Sequence, residues 1–385
     1  MLLLNDPLSD TRVEKEVPGA YEWWYFDAIS VDQELSFVII FYDGNPFSSR
    51  YIRSLELEKG SKAESFPALS ISIYHKSKPV YYSFVEYPPE ELRITNHPLN
   101  VQIGGQNFLS TIENETLNYH IKINQRLDSG DSLIADLVFS TNLNSNNSAL
   151  TTQFGEPELR KNGSDEIMLQ STVYGNSRTI NTHHNHIWNL IQPRAIVTGQ
   201  LTLNTSTKSF DGLGYHDHNI GFEPMKESFK EWYWGRFHFD QATLIYYLMF
   251  KNDSSQEMKA WLIDSNSKGK SQVLHLDLKN LKSRSSNIFG LSTFNTIHFS
   301  HDSFDVVIQQ NQSVDNGPFY KRWIGTAIQT NKKGLTEAVT GITEYIRPNK
   351  IYDKRYWPLV NMRIRYLSEA PHWVQKSRIF YRWTW

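Results

Sequence analysis

The sequence contains no cysteine, which excludes disulfides, thiolate metal sites and cysteine nucleophiles. Its longest apolar runs, residues 37–41 and 244–250, have only the length of a strand, so no transmembrane helix is expected. The N-terminus lacks the basic region and the apolar stretch of a signal peptide, and we therefore expect a cytoplasmic protein. The formal charge is −2 and the basic residues are dispersed, which argues against a nucleic-acid partner. No Gly-x-Ser-x-Gly elbow, phosphate-binding loop or dinucleotide fingerprint is present.

Aromatic residues, by contrast, are abundant. They make up 14% of the chain, with 11 Trp, 20 Tyr and 21 Phe. Such side chains fill large cores, and they also line pockets for apolar or unsaturated ligands. A small apolar, unsaturated substrate is therefore the partner that the composition favours.

Hydrophobic residues alternate with polar ones along most of the chain. Leu117, Tyr119, Ile121 and Ile123, for example, are separated by single polar residues. This period of two is typical of strands with one buried face, and convincing amphipathic helices are absent. The sequence predicts an all-β fold.

An internal repeat indicates two copies of one architecture. Residues 22–25, Glu-Trp-Trp-Tyr, align with residues 231–234, Glu-Trp-Tyr-Trp, at an offset of 209 positions. The same offset carries the apolar run 35–41 onto 244–250. We therefore predict two tandem antiparallel barrels or sandwiches, residues 1–190 and residues 191–385.

The most informative segment is Gly214-Tyr215-His216-Asp217-His218-Asn219-Ile220-Gly221. In an extended strand successive side chains point to opposite faces. Tyr215, Asp217 and Asn219 are then expected on one face, and His216 and His218 on the other. A shift of the register by one residue would exchange the two faces, so the sequence does not say which face meets a cavity.

Asp217 is the first candidate for catalysis. Among aromatic side chains a carboxyl group is desolvated, which raises its pKa and keeps it protonated near neutral pH. A neutral carboxylic acid can protonate an alkene, and aromatic faces stabilise the resulting cation by about 2 kcal/mol or more when water is excluded. Candidate walls for this cavity are Trp188, Trp232, Tyr233 and Trp234. Alternatively, Asp217 and Asn219 only satisfy backbone groups of a turn after Gly214.

A metal site is a second interpretation of the histidines. His216 and His218 followed by Glu223 have the spacing of half a cupin metal site, although no second half is found. His183, His184 and His186 are further candidate ligands. Hydrogen-bonded structural histidines are the more common case, and we expect neither a metal nor another cofactor. Glu22 is interpreted as a buried structural carboxylate, and Glu231 as a residue that could orient a histidine or a water.

The chain resembles the carotenoid 1,2-hydratases (hydroxyneurosporene synthases) and their AttH-like relatives. The resemblance rests on segments spread over nearly the whole chain: residues 22–26, Trp188-Asn189 with Pro193, residues 212–219, 232–234 and 341–344. It implies two lipocalin-like β domains with a site at their junction, and cofactor-free, acid-initiated chemistry on a terpenoid or polyene double bond. By this resemblance Asp217 protonates the alkene, assisted by Tyr215, His216, His186 and Trp188. The family commonly has Trp where this chain has Ile220, which we expect to change a cavity wall.

The leading hypothesis is the addition of water to a terminal isoprenoid double bond by a cofactor-independent hydro-lyase. Asp217 donates the proton, Tyr215 and His216 tune its acidity, and His186 or His218 positions the water. The expected substrate-binding residues are Trp188, Asn219, Trp232, Tyr233, Trp234 and Trp24. Three alternatives stay open: a cyclase, pericyclase or isomerase, a carrier of lipid or pigment, and a metal-dependent oxygenase. Peripheral membrane contact also stays open, although the sequence shows no amphipathic anchor, and the oligomeric state does not follow from it.

Overall fold

The computed structural model describes residues 1–57, 60–143, 186–264 and 273–384, together with the backbone of residues 166–170 and 177–181. Its strands, in chain order, are β1 Leu2–Leu4, β2 Tyr21–Ser30, β3 Leu35–Asp43, β4 Ala68–His75, β5 Lys78–Glu86, β6 Leu92–Asn96, β7 Leu99–Ile103, β8 Gln106–Glu113, β9 Thr116–Arg126, β10 Ser132–Asn142, β11 Glu166–Gln170, β12 Ser177–Asn181, β13 His186–Leu203, β14 Ser206–Gly221, β15 Glu231–His238, β16 Ala242–Phe250, β17 Gln256–Asp264, β18 Val273–Ser286, β19 Ser292–His301, β20 Phe304–Asn316, β21 Tyr320–Asn331, β22 Thr336–Ile346 and β23 Ile364–Tyr366.

The described helices are short: α1 Ser49–Glu56, α2 Met225–Ser228, α3 Trp357–Arg363 and α4 Arg378–Trp383, with 3-10 turns at Pro7–Ser9, Ala63–Ser65, Pro89–Glu91, Pro348–Lys350 and Lys354–Tyr356. None of them combines the length and the apolar character that a membrane span requires. Strands dominate, which confirms the predicted all-β class.

Two sheets contain nearly all of these strands. The first is an open 13-stranded sheet in the order β23-β5-β4-β3-β2-β14-β13-β10-β9-β8-β7-β6, with β1 paired to β13. The second is a closed barrel in which β15 to β22 follow one another and β22 pairs back with β15. Closure of the barrel pairs the backbone N–H and C=O groups that the edge strands of an open sheet would leave exposed.

The alternating sequence pattern explains how each strand is buried. In β9, Leu117, Tyr119, Ile121 and Ile123 are buried, whereas the residues between them are half-buried or exposed. Strands β2 and β3 are buried along their whole length. One face packs against side chains from the other strands of the same sheet, and the other face packs against the barrel. These central strands therefore need apolar residues on both faces, as their sequences have.

Apolar side chains form three main clusters. One fills the concave side of the sheet and includes Trp24 and Phe26, and a second fills the barrel and includes Tyr233 and Phe237. A third lies between sheet and barrel, where Trp23 and Tyr25 of β2 pack against Trp232 and Trp234 of β15. This junction is where the site described below is built.

The internal repeat is visible as a set of contacts between equivalent positions. Trp23 meets Trp232 with ring centroids 6.5 Å apart, and Tyr25 meets Trp234 at 5.2 Å. Two positions further on, Arg236 Nε donates to Asp27 Oδ1 over 2.7 Å. Each pair is separated by the same 209 residues that align the two motifs. The repeats therefore pack against each other through corresponding strands, β2 and β15.

The sheets do not divide at residue 190. Strand β13 continues without a break from His186 to Leu203. It pairs with β10 on one side and with β14 on the other. The change from sheet to barrel falls between Gly221 and Glu231, and β23 returns to pair with β5. A domain boundary based on the two sheets would lie between Gly221 and Glu231. The domains of residues 1–190 and 191–385 stay a prediction.

Candidate active site

The β13–β14 hairpin positions the candidate site. The register places Trp188 opposite Asn219 and Leu190 opposite Asp217, and β14 also pairs with β2. Alternation along β14 places Tyr215, Asp217 and Asn219 on one face, as their hydrogen bonds to one another show. This face meets the barrel, where the Tyr215 ring contacts that of Trp234. The predicted grouping of these three side chains on one face is confirmed.

Asp217 is buried and accepts three hydrogen bonds. Trp188 Nε1 and the Tyr215 hydroxyl each donate to Oδ2 over 2.7 Å, and Asn219 Nδ2 donates to Oδ1 over 2.8 Å. Burial raises the pKa of Asp217 to about 8, although the bonds from Tyr215 and Trp188 act to lower it. At neutral pH the side chain is therefore mostly a neutral carboxylic acid.

His186 and Tyr21 continue this hydrogen-bonded chain. His186 Nε2 lies 3.1 Å from Asn219 Oδ1, and His186 Nδ1 lies 3.1 Å from the Tyr21 hydroxyl. Burial lowers the pKa of His186 to about 3, so the ring is neutral. Because the Asn219 oxygen can only accept, Nε2 carries the proton and Nδ1 accepts from Tyr21. Every donor in the chain then points towards Asp217.

Tyr21 is a site residue that the sequence did not reveal. It stands immediately before the Glu-Trp-Trp-Tyr motif, and its ring covers Gly221 at the end of β14. A Cβ atom at Gly221 would lie 2.1 Å from that ring, which leaves space for glycine alone. In the sequence Tyr21 is marked by its position next to the Glu-Trp-Trp-Tyr motif, and its partner Gly221 by its position at the end of the central motif.

A cleft opens beside Asp217 at the junction of sheet and barrel. Its empty space, including the open mouth, is about 1000 Å³. Both halves and the segment after the barrel contribute lining residues, among them Trp23, Tyr25, Tyr42, Phe84, Asp217, Asn219, Trp232, Trp234, Arg322, Glu344, Ile346, Val360 and Ile364. The lining is mainly apolar and aromatic, and Asp217 is one of its few acids.

The predicted substrate-binding residues divide between the cleft and elsewhere. Asn219, Trp232 and Trp234 line the cleft, and Trp188 lies behind Asp217 as its hydrogen-bond donor. Tyr233 points into the barrel, where its hydroxyl accepts a hydrogen bond from the Phe294 amide. Trp24 lies in the core of the sheet and stacks on His218. The structure therefore does not bring these last two to the cleft.

His216 and His218 lie on the opposite face of β14, away from the cleft. His218 is held between Asp10 and Glu22, with nitrogen–oxygen distances of 2.8 and 2.7 Å, and His216 Nε2 lies 3.3 Å from Asp10. Burial opposes the charge of His218, but the hydrogen bonds to Asp10 and Glu22 raise its pKa to about 9. Glu22 also pairs with Lys15, which agrees with the structural role predicted for this carboxylate.

Glu223 and Ile220 have other partners than the sequence predicts. Glu223 accepts a hydrogen bond from Ser228 rather than joining the two histidines, and His183 and His184 lie outside the described residues. Within the described ranges no group of three or more His, Cys, Asp or Glu has the arrangement of a metal site. The expectation that Ile220 forms a cavity wall is wrong, because Ile220 packs with Leu2, Leu4, Val13 and Ile187 on the far face of the hairpin.

Comparisons with known proteins agree with this architecture. The model of the carotenoid hydratase CrtC family matches residues 146–369, more than half of the chain. A hydroxyneurosporene dehydrogenase of Chlorobaculum tepidum is 26% identical over 90% of this chain and 88% of its own length. An acyclic carotenoid 1,2-hydratase of Thiocapsa roseopersicina is 25% identical over 63% of this chain and 51% of its own.

Among solved structures, an AttH protein of Nitrosomonas europaea is similar in fold. It covers 85% of this chain and 92% of its own, with a TM-score of 0.50 and 12% identity. The resemblance to AttH-like and carotenoid hydratase proteins is thereby confirmed. The extent of the family match shows that this chain belongs to the CrtC carotenoid hydratase family.

Proposed function

We propose that the protein adds water to a terminal carbon–carbon double bond of an apolar isoprenoid or polyene without a cofactor. Asp217 supplies the proton, in the cleft at the junction of sheet and barrel. The observation that carries the proposal is a buried carboxylic acid, with a pKa of about 8, at the wall of an aromatic cleft. Such a group is protonated at physiological pH and can act as a general acid.

The hydrogen bonds around Asp217 indicate which oxygen carries its proton. Oδ2 accepts from both Trp188 and Tyr215, which occupies both of its lone pairs. Oδ1 accepts only from Asn219 and retains a position for the acid proton. Donation from Oδ1 leaves a carboxylate with three hydrogen bonds already in place, which stabilises the charge that develops in the transition state.

Protonation of the less substituted carbon of the terminal double bond gives a tertiary cation on the other carbon. Around Asp217 the cleft offers aromatic rings, with Tyr25 and Trp234 both in ring contact with Tyr215. The faces of such rings attract a cation, and this attraction is stronger where water is excluded. Attack by one water molecule then forms a carbon–oxygen bond and a tertiary alcohol.

His186 acts in this scheme by orienting Asn219. Its two ring nitrogens are engaged with Asn219 and Tyr21, so neither is available for the attacking water. His218 faces Asp10 and Glu22 and is likewise engaged. The water-positioning role expected for these histidines therefore passes to another group.

The test is the mass of the product formed from a detergent-solubilised acyclic carotenoid or a shorter polyene. We expect a product heavier by one water from the natural protein and none from Asp217→Asn. An isomeric product would transfer the assignment to a cyclase or isomerase. Tight binding with unchanged ligand would indicate a carrier, and near-normal turnover by Asp217→Asn would overturn the acid mechanism.

A further inference from the structure

The proposed hydration needs a group that takes a proton from the attacking water. Asp217 becomes a carboxylate when it donates its proton, but that carboxylate is held by three hydrogen bonds beside the carbon it has protonated, whereas the water attacks the neighbouring carbon. Both histidines near Asp217 are engaged. A carboxylate on the same cleft would meet the requirement, because an ionised carboxylate accepts hydrogen bonds and protons. Glu344 is such a residue.

Glu344 lies on β22, opposite Trp234 of β15 and Arg322 of β21. Its Oε1 accepts from Arg322 Nε over 2.7 Å and from the Tyr25 hydroxyl over 3.0 Å. Oε2 accepts a hydrogen bond from none of the residues that the structure describes. The side chain lines the cleft and is 16% exposed, against 3% for Arg322. One oxygen is therefore anchored and the other is available to water.

Glu344 is also placed close to the acid. Tyr25, which donates to Glu344, has its ring edge-on to Tyr215 with centroids 6.2 Å apart, and Tyr215 donates to Asp217. The negative charge of Glu344 contributes to the raised pKa of Asp217, after the larger effects of burial and of the charge of Asp27. The two carboxyl groups therefore line one cleft and act on each other electrostatically.

We propose that Glu344 holds the attacking water through Oε2 and accepts its proton, with Arg322 and Tyr25 fixing the carboxylate. This role rests on the proposed hydration. The Asp217 proton forms the new carbon–hydrogen bond as the π bond breaks, and water oxygen forms the carbon–oxygen bond. The released proton passes to Glu344, then to solvent, and Asp217 is reprotonated from solvent. Atoms and charge balance to the addition of one water.

Reaction in D2O separates the two carboxyl groups. In Glu344→Gln we expect water addition to fall by about 100-fold or more. Deuterium should still enter recovered or double-bond-shifted substrate, because Asp217 still forms the cation, which then loses a proton. Asp217→Asn should show neither process. The control is Glu257→Gln, whose carboxylate accepts from the Tyr247 hydroxyl but lies off the cleft.

Two results would overturn the role of Glu344. The first is water addition by Glu344→Gln at a rate like that of Glu257→Gln. The second is a parallel loss of deuterium uptake and water addition, as in Asp217→Asn, which would mean that Glu344 acts through the acid or the fold. Absence of any hydrated product from the natural protein would instead remove the proposed function, and this inference with it.

A separate observation concerns the surface around α4. Four large apolar side chains there are strongly exposed: Trp373 by 61%, Ile379 by 79%, Phe380 by 51% and Trp383 by 77%. Trp373 and Phe380 are in ring contact at 5.4 Å, so these residues form a patch rather than isolated points. Val374 and Tyr381 on the inner side are buried, which makes the segment amphipathic.

Charge indicates what this patch binds. Lys376, Arg378 and Arg382 are exposed beside it, and residues 370–385 contain no Asp or Glu. Arg378 and Arg382 both contact the buried Asp131, which leaves an excess of positive charge. Exposed Trp, Phe and Ile beside basic side chains are typical of segments that lie in the interface of an anionic bilayer.

We infer that residues 373–383 form a surface that binds anionic lipid membranes. The surface adjoins the cleft, since the Tyr381 hydroxyl donates to the backbone oxygen of Arg363, and Arg363 and Ile364 line the cleft. Binding there would bring the cleft to the phase in which an apolar substrate dissolves.

Co-sedimentation with vesicles of phosphatidylcholine, with and without phosphatidylglycerol, tests this surface. We expect binding to the anionic vesicles, weakened by salt, and a loss of about tenfold or more in the double variant Ile379→Ser, Trp383→Ser. The control is Ile288→Ser, Leu335→Ser, because these residues are 90% and 68% exposed elsewhere on the barrel. Equal binding by both variants, or self-association through the patch without vesicle binding, would overturn the inference.

Discussion

Ionisation of Asp217 should make the protein less stable as the pH rises. The pKa of this carboxyl is 3.8 in an unperturbed state and about 8 in the folded protein. Between these values the unfolded chain has lost the proton and the folded chain retains it. Stability due to this group is therefore complete below about pH 3.8 and is lost as the pH rises towards 8.

The size of the effect follows from the pKa difference. One pKa unit corresponds to about 1.4 kcal/mol, so the shift of roughly four units sets an upper limit of about 6 kcal/mol. In the middle of the range the slope is about 1.4 kcal/mol per pH unit, or about 3 kcal/mol between about pH 5 and about pH 7. Asn at position 217 does not titrate, and it keeps the size of the side chain.

Urea unfolding of the natural protein and of Asp217→Asn at several pH values measures this difference directly. We expect the free energy of unfolding of the natural protein to fall relative to that of the variant by about 3 kcal/mol over that range. All other titrating groups are present in both proteins, so the contributions of those that do not interact with Asp217 cancel in the comparison. Curves that stay parallel would show that Asp217 is already ionised in the folded protein, and the acid mechanism would lose its basis.

Three further predictions follow from the surrounding contacts. Trp188→Phe removes a hydrogen bond that lowers the pKa of Asp217, so the alkaline limb of the pH–rate profile should move to higher pH; an unchanged limb would mean that another group titrates. Arg236→Met leaves Asp27 buried without its partner and should lower the free energy of unfolding by about 3–5 kcal/mol in urea titration, whereas a loss under about 1 kcal/mol would contradict this. His218→Gln should be less stable than the natural protein below about pH 6.5, and the difference in stability should shrink as the pH rises through about 9. The KM of this variant should equal that of the natural protein, and a changed KM would place His218 at the cleft.

The fold class and the grouping of the site residues could be predicted because both depend on local periodicity. Alternation of apolar and polar residues fixed the strands, as β9 illustrates with Leu117 to Ile123. The same alternation placed Tyr215, Asp217 and Asn219 on one face of β14. The repeat at 209 residues correctly matched β2 and β3 with β15 and β16.

Partners distant in the chain could not be predicted in this way. Tyr21 bonds His186, Asp10 binds His218 and Glu344 accepts from Tyr25. No spacing rule connects the two members of any of these pairs. The exposed patch on α4 was missed for a related reason. In α4 only Tyr381 is buried, while Trp373 and Val374 precede the helix, so the segment is too short for a periodic pattern, and the elements it packs against decide which side chains are buried.

Local sequence patterns are enough to predict that this chain forms strands, that its two aromatic motifs are equivalent, and that Asp217 shares a face with Tyr215 and Asn219. Which face of β14 meets the cleft depends instead on long-range packing. A period of two specifies which side chains lie together, but not what covers them. The barrel packs against the face that contains Asp217, excludes water from this side chain and so raises its pKa. On the opposite face, Asp10 binds His216 and His218.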